Sequence, residues 1–184
     1  MNELIVKIEQ WAEDRNIIKG SKPIDQAMKL FSEFGELADN VGKGRDCRDD
    51  IGDVFVVLTI MAAQYGISMA DMKPHGYDEE DEPKRMITSL CRNLLMFSDA
   101  RNRNKSQSLE WCLGWLIRIS HNKGYTLEEC VQIAYNDIKD RRGILVNGVF
   151  IKESDPAYQD AIDNIEADKR MASQKRISVN IEDL

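Results

Sequence analysis

The 184-residue chain lacks an apolar run long enough to span a bilayer: no segment approaches the ~18 uninterrupted apolar residues that such a helix needs. Its N-terminal stretch, MNELIVKIEQWAEDR, carries acids on both sides of a short apolar run and does not read as a targeting segment. A basic surplus is missing too. Thirty-two acidic residues stand against 25 basic ones, for a net charge of −7. That balance does not draw nucleic acid or an anionic membrane by long-range attraction, so neither is expected as a partner. Histidine is scarce: His75 and His121 are the only two, too few for a histidine-based zinc site or a Ser-His-Asp triad. Cys47, Cys91, Cys112 and Cys130 form no CxxC pair and lie in largely apolar helical patterns, which suits reduced core thiols and a cytoplasmic setting. Low-complexity segments are absent as well. The chemistry is left to carboxylates, lysines and arginines.

What is present is helical periodicity. Leu4, Ile5, Ile8, Trp11 and Ala12 predict a first helix over about residues 2–16, ending in the loop that holds Gly20, Ser21 and Pro23. A second begins near Ile24 and ends at Gly42 to Gly44. The third runs from about Cys47 to Tyr65, and its VFVVLTIMAA segment is apolar on nearly all sides, as a central helix must be. HGYDEEDEP reads as an exposed linker. A helix pair follows over Pro83 to Ala100 and Ser108 to Ser120, joined by RNRNKSQ, which lacks interleaved aromatics and reads as a solvated turn. Thr126, with Glu129 in the capping-box position, opens a helix that extends to about Arg141. Asn-Gly within ILVNGVFI predicts a β-hairpin over residues 144–151. A charged helix and a loose tail complete the chain. The expected organisation is one helical domain over 1–153, with 67–124 as an inserted helix pair, and a C-terminal helix and tail over 154–184.

The stretch SEFGELADNVGKGRDCRDDIGD, residues 32–53, concentrates the acids. Glu33 and Glu36 share one helix face, as do Asp50 and Asp53, because residues three apart lie about 5–6 Å from each other. If the two helices fold antiparallel about residues 43–46, all four carboxylates converge. Each like-charge pair at about 5 Å then costs on the order of 3 kcal/mol at an effective dielectric near 20. Protonation or a divalent cation relieves that repulsion, and an all-oxygen donor set suits Mg²⁺ or Mn²⁺, and with it phosphate chemistry. Gly35 and Gly52, inside these helices, each cost about 1 kcal/mol relative to alanine, which predicts close backbone approach at both. Downstream, Lys139, Arg141 and Arg142 form a compact cationic group suited to phosphate oxygens.

KLFSEFGELADNV followed by DDIGDVFVVL resembles the all-α nucleoside triphosphate pyrophosphohydrolases, the MazG-like group related to dCTP pyrophosphatases and dimeric dUTPases, whose signature is EExxE, a spacer, then ExxD. AYNDIKDRRGILVNGVFIKE is similar to the closing segment of short members found in phages and some bacteria. The resemblance covers about residues 1–66 and 125–153. It implies a helical bundle, assembled as a homodimer or homotetramer, that hydrolyses a nucleotide between its α and β phosphates to give NMP and pyrophosphate. Glu33, Glu36, Asp50 and Asp53 are then the Mg²⁺ ligands, Glu36 is also catalytic, and Lys139 with Arg141 or Arg142 neutralises phosphate. Asn136 and Lys29 are further substrate-binding candidates, and Trp11 and Tyr65 are candidates to hold the base. Ser32 stands where the signature has its first acid, Asp50 is one methylene shorter than the usual Glu, and short members mostly lack residues 67–124. A helical module that binds a nucleotide or a protein with weakened catalysis, or a hydrolase of a guanosine alarmone, is the alternative.

Overall fold

The computed structural model describes residues 1–75, 82–146 and 148–174. The central part of the acidic linker, Asn147 of the hairpin turn and the tail beyond residue 174 lie outside the described residues. Local signals account for most element boundaries. α1 (Asn2–Asp14) buries Leu4, Ile5, Ile8 and Ala12 along one stripe. Where a loop is expected, a helical turn, α2 (Ile17–Gly20), follows it, entered through Asn16 in the left-handed region at φ 57°. α3 (Pro23–Gly42) starts with proline at its first position, where the missing N–H has no helical partner to lose, and Asp25 Oδ2 accepts from Lys22 N at 2.8 Å. α4 (Arg48–Gln64) is a helix in spite of its β-branched residues and is buried almost throughout.

A short 3₁₀ turn (Met69–Asp71) precedes α5 (Pro83–Ser98) and α6 (Lys105–Asn122). α6 begins three residues before the expected Ser108, because the Asn104 side chain accepts from Gln107 N and caps the helix there. α7 (Leu127–Lys139) opens with the expected capping box: Glu129 N donates to Thr126 Oγ1 at 3.2 Å, and Thr126 N donates to Glu129 Oε2 at 2.7 Å. β1 (Gly143–Val146) and β2 (Val149–Lys152) pair antiparallel in register, Leu145 opposite Phe150. α8 (Tyr158–Gln174) packs on this hairpin.

The result is an all-α bundle with a small hairpin. α4 is its axis, flanked by α1, α3, α6 and α7, while α5 pairs with α6 and also meets α3. The helix pair between residues 67 and 124 therefore packs into the same core as the rest of the chain. The four cysteines are free thiols, three of them buried, and burial pushes the Cys130 thiol up to about 12. Among the described residues, no helix is long and apolar enough to cross a membrane.

Candidate functional site

α3 and α4 run antiparallel along their whole length. Near the turn between them, Asn40 Nδ2 donates to Asp50 Oδ2 at 2.7 Å; at the far end, Gln64 Nε2 donates to the carbonyl of Ser21 at 3.1 Å. Between those ties Glu33 of α3 comes close enough to Asp53 of α4 to raise its pKa. α7 lies along another side of α4, and Gly52 is what permits it: a Cβ there would stand 2.3 Å from the Cys130 carbonyl oxygen and 2.7 Å from Ala134 Cβ. The close approach expected at both interior glycines thus holds at Gly52 and fails at Gly35, which has nothing within 4 Å because it faces solvent.

These packings leave a cavity of about 940 Å³ bounded by α1, α3, α4, the end of α7 and the hairpin. That is within the usual range for a small-molecule site. Glu33, Glu36 and Asp53 form part of its wall, and Lys29, Arg141, Arg142 and Lys152 supply cations. Val56, Val57 and Ile60 of α4, with Ile138 of α7, make an apolar side. Alternation along β2 brings Phe150 and Lys152 to the same wall, which Gly148 of the turn also reaches. Arg15 fixes the cationic end: its Nε donates to the Arg141 carbonyl at 2.6 Å, its Nη1 to the Trp11 carbonyl at 3.1 Å, and its guanidinium lies 4.9 Å from the Trp11 ring centre. Trp11 Nε1 in turn donates to the Ile138 carbonyl at 2.8 Å.

The acids sit in a field of their own making. Burial first, then the charges of Glu33 and Asp49, pushes the Asp53 carboxyl up to about 7, with Lys29 and Arg141 opposing. Asp49 is raised by burial and by Asp137, Asp50 and Glu33, against Arg141. Asp50 is raised by burial, partly offset by the Asn40 hydrogen bond. Glu33, only 5% exposed, is ion-paired with Lys29 one turn earlier. Among the described residues, no group of three or more His, Cys, Asp or Glu forms a set that could hold a metal ion. The partners explain part of this: Lys29 takes the Glu33 carboxylate and Asn40 takes that of Asp50.

Of the residues singled out from sequence, Trp11, Lys29, Glu33, Glu36, Asp53, Arg141 and Arg142 come together on the cavity wall. Asp50, Asn136 and Lys139 are not part of it. Lys139 Nζ instead donates to Asn136 Oδ1 at 3.0 Å on the exposed side of α7. Tyr65 packs edge-on to Phe97 under the Lys105 ammonium, away from the cavity. Ser32 is exposed and also off the wall. Sequence reasoning missed Asp49, which shares a helix face with Asp53 at i, i+4 spacing, and Phe150, which strand alternation with Lys152 could have flagged.

An uncharacterised 18.2 kDa protein from the rep-hol intergenic region of Haemophilus phage HP1 (strain HP1c1) is 50% identical to this chain over 66 residues, 35% of this chain and 40% of that protein. The chain thus spans about two fifths of the length of this curated relative. No family model matches the chain, and no solved structure matches it significantly.

Proposed function

We propose that the protein is a Mg²⁺-dependent nucleotide pyrophosphohydrolase of the MazG-like, all-α type, cleaving an NTP or dNTP to the monophosphate and pyrophosphate. The observation that carries this reading is one cavity with Glu33, Glu36 and Asp53 on its wall together with Lys29, Arg141 and Arg142. Its donor set is entirely carboxylate oxygen, which fits a hard divalent cation, and the buried charge at Asp53 lacks full compensation. Glu33, Glu36 and Asp53 are not arranged as a metal set while Lys29 holds Glu33; they would hold the ion only once Lys29 turns from Glu33 to substrate phosphate and the three carboxylates draw together. Bound there, the cation would supply Lewis-acid polarisation of a phosphoryl oxygen. The exposed Glu36 accepts the proton of the attacking water as its oxygen bonds to the α phosphorus and the α–β bridging bond breaks. Arg141 and Arg142 offset the charge that develops on the departing pyrophosphate. Assembly as a homodimer or homotetramer belongs to the same reading, as does the cytoplasm of a bacterial host, a setting that the partial match to a phage protein supports.

Glu36→Gln is expected to abolish Mg²⁺-dependent pyrophosphate release while the circular-dichroism spectrum is retained. Wild-type turnover in that variant refutes the assignment. The second reading, a helical nucleotide-binding module with weakened catalysis, is favoured by the lack of a ready-made metal set among the described residues and by Ser32 in place of the signature's first acid. Nucleotide binding without pyrophosphate release by the wild-type protein selects it.

A further inference from the structure

The hairpin turns one face to the cavity. Alternation puts Gly143 and Leu145 of β1 on the same side as Phe150 and Lys152 of β2, and Leu145, Phe150 and Lys152 all line the wall. Lys152 stands directly opposite Gly143, and Phe150 is the diagonal neighbour of that glycine. The glycine leaves the space that the ring takes: a Cβ at Gly143 would stand 2.5 Å from Phe150 Cε1 and 2.6 Å from Cζ. Because Gly143 follows Arg141 and Arg142 in the chain, the ring is seated beside the cations of the wall. Seating does not bury it. Phe150 stays 37% exposed, whereas its cross-strand partner Leu145 is 8% exposed. Among the described residues Trp11 is the other aromatic of the wall, and it is already committed: its Nε1 donates to the Ile138 carbonyl at 2.8 Å, and the Arg15 guanidinium lies over its ring at 4.9 Å. The cations divide in the same way. Lys29 holds Glu33 and Arg142 holds Glu153, but the Lys152 ammonium makes no hydrogen bond or ion pair among the described residues.

Resting on the nucleotide reading, we propose that this hairpin face is where the nucleotide docks, with Phe150 stacking on the base and Lys152 taking an oxygen of the phosphate chain. An uncommitted ring and an unpaired cation two residues apart, about 7 Å along one strand, set an aromatic plane and a positive charge side by side. A nucleotide carries the matching pair of chemistries, a flat π-face and an anionic chain joined through one sugar. Val57 and Ile60 of α4 supply further apolar surface in the same cavity. Stacking does not read hydrogen-bonding edges, since every base has a π-face. The contact therefore gives affinity for nucleotides as a class and is indifferent to which base is present.

The test measures Kd by calorimetry with Mg²⁺ for the α,β-imido analogues of dCTP and dATP, which resist cleavage, and for inorganic tripolyphosphate, which has no base. Phe150→Leu keeps apolar bulk and removes the π-face; it is expected to weaken both nucleotides by about fivefold or more and to leave tripolyphosphate within about twofold. Phe150→Tyr is expected to restore nucleotide affinity. Lys152→Met is expected to weaken all three ligands by a similar factor, about fivefold or more. On the wild-type protein, nuclear Overhauser contacts between the Phe150 ring protons and the base protons of the bound analogue are expected, so a variant that fails to fold does not block the test. Nucleotide affinity unchanged in Phe150→Leu, an equal loss for tripolyphosphate there, or absence of those contacts in the saturated complex overturns the stacking role. Tripolyphosphate affinity unchanged in Lys152→Met overturns the phosphate role, and in each of these cases the nucleotide reading stands. Failure of the wild-type protein to bind either nucleotide overturns both.

Discussion

Replacing Asp53 with Asn tests whether the acidic wall opposes its own folding. Burial, with Glu33 and Asp49 alongside, moves the Asp53 carboxyl from 3.8 to about 7 against the counter-pull of Lys29 and Arg141. A carboxyl that binds its proton more tightly folded than unfolded loses stability as pH rises between those two values, and the loss is complete above about pH 7. Three pKa units correspond to about 4 kcal/mol as an upper bound. Asp53 keeps some solvent contact and water screens its charge, so an effect of about 1–3 kcal/mol remains. Asn preserves the shape and removes the charge. Metal-free Asp53→Asn is therefore expected to be more resistant to urea than wild type by about 1–3 kcal/mol near pH 8, with the gap shrinking toward pH 4 to 5. Added Mg²⁺ should raise the wild-type midpoint by mass action and leave the variant where it was. A variant less stable than wild type near pH 8, or a difference of equal size at both ends of the range, refutes the reasoning.

Two further outcomes follow from the geometry. Gly52→Ala places a methyl group against the α7 backbone, so urea unfolding is expected to show a loss of about 1–3 kcal/mol in spite of the better helix propensity of alanine, whereas Gly35→Ala should be neutral or stabilising by up to about 1 kcal/mol. Arg141→Ala is expected to weaken calorimetric binding of a nucleotide with Mg²⁺ by about tenfold or more, because Arg141 acts on Asp49 and Asp53; Arg142→Ala should cost less, since Arg142 is already paired with Glu153 at 3.4 Å.

The helices were legible because their signals are local. Apolar spacing defined α1, α3 and α4, Thr126 and Glu129 defined the start of α7, and Asn-Gly within apolar runs announced the hairpin. What sequence could not separate was tertiary. Gly35 and Gly52 are equivalent as residues, and only the presence of α7 over one of them makes the difference. Asn136 and Lys139 share a helical ridge with each other and not with Ile138, since one residue turns the helix by about 100° and so decides which side chain meets the cavity. Of the four acids expected to converge, Glu33, Glu36 and Asp53 reach the cavity wall, but Asp50 turns to Asn40 and Asp49 contributes its charge to Asp53, an arrangement set by hydrogen bonding across the α3–α4 pair. The tie from Gln64 to Ser21 was invisible because it joins residues 43 apart in sequence.

The ties that fix the cationic end have a consequence for the order of assembly. The acidic wall is made by consecutive helices and can form as soon as they meet, but the opposite side waits for Trp11 to reach Ile138 and for Asn16 Nδ2 to reach the Leu145 carbonyl at 2.8 Å, separations of 127 and 129 residues. Closing so long a loop is the slower event. A refolding chain therefore carries its acids together with only Lys29 beside them before Arg141 and Arg142 arrive, and dissolved salt, by screening the acids during that interval, should matter more to the rate at which the protein folds than to the stability of the finished molecule.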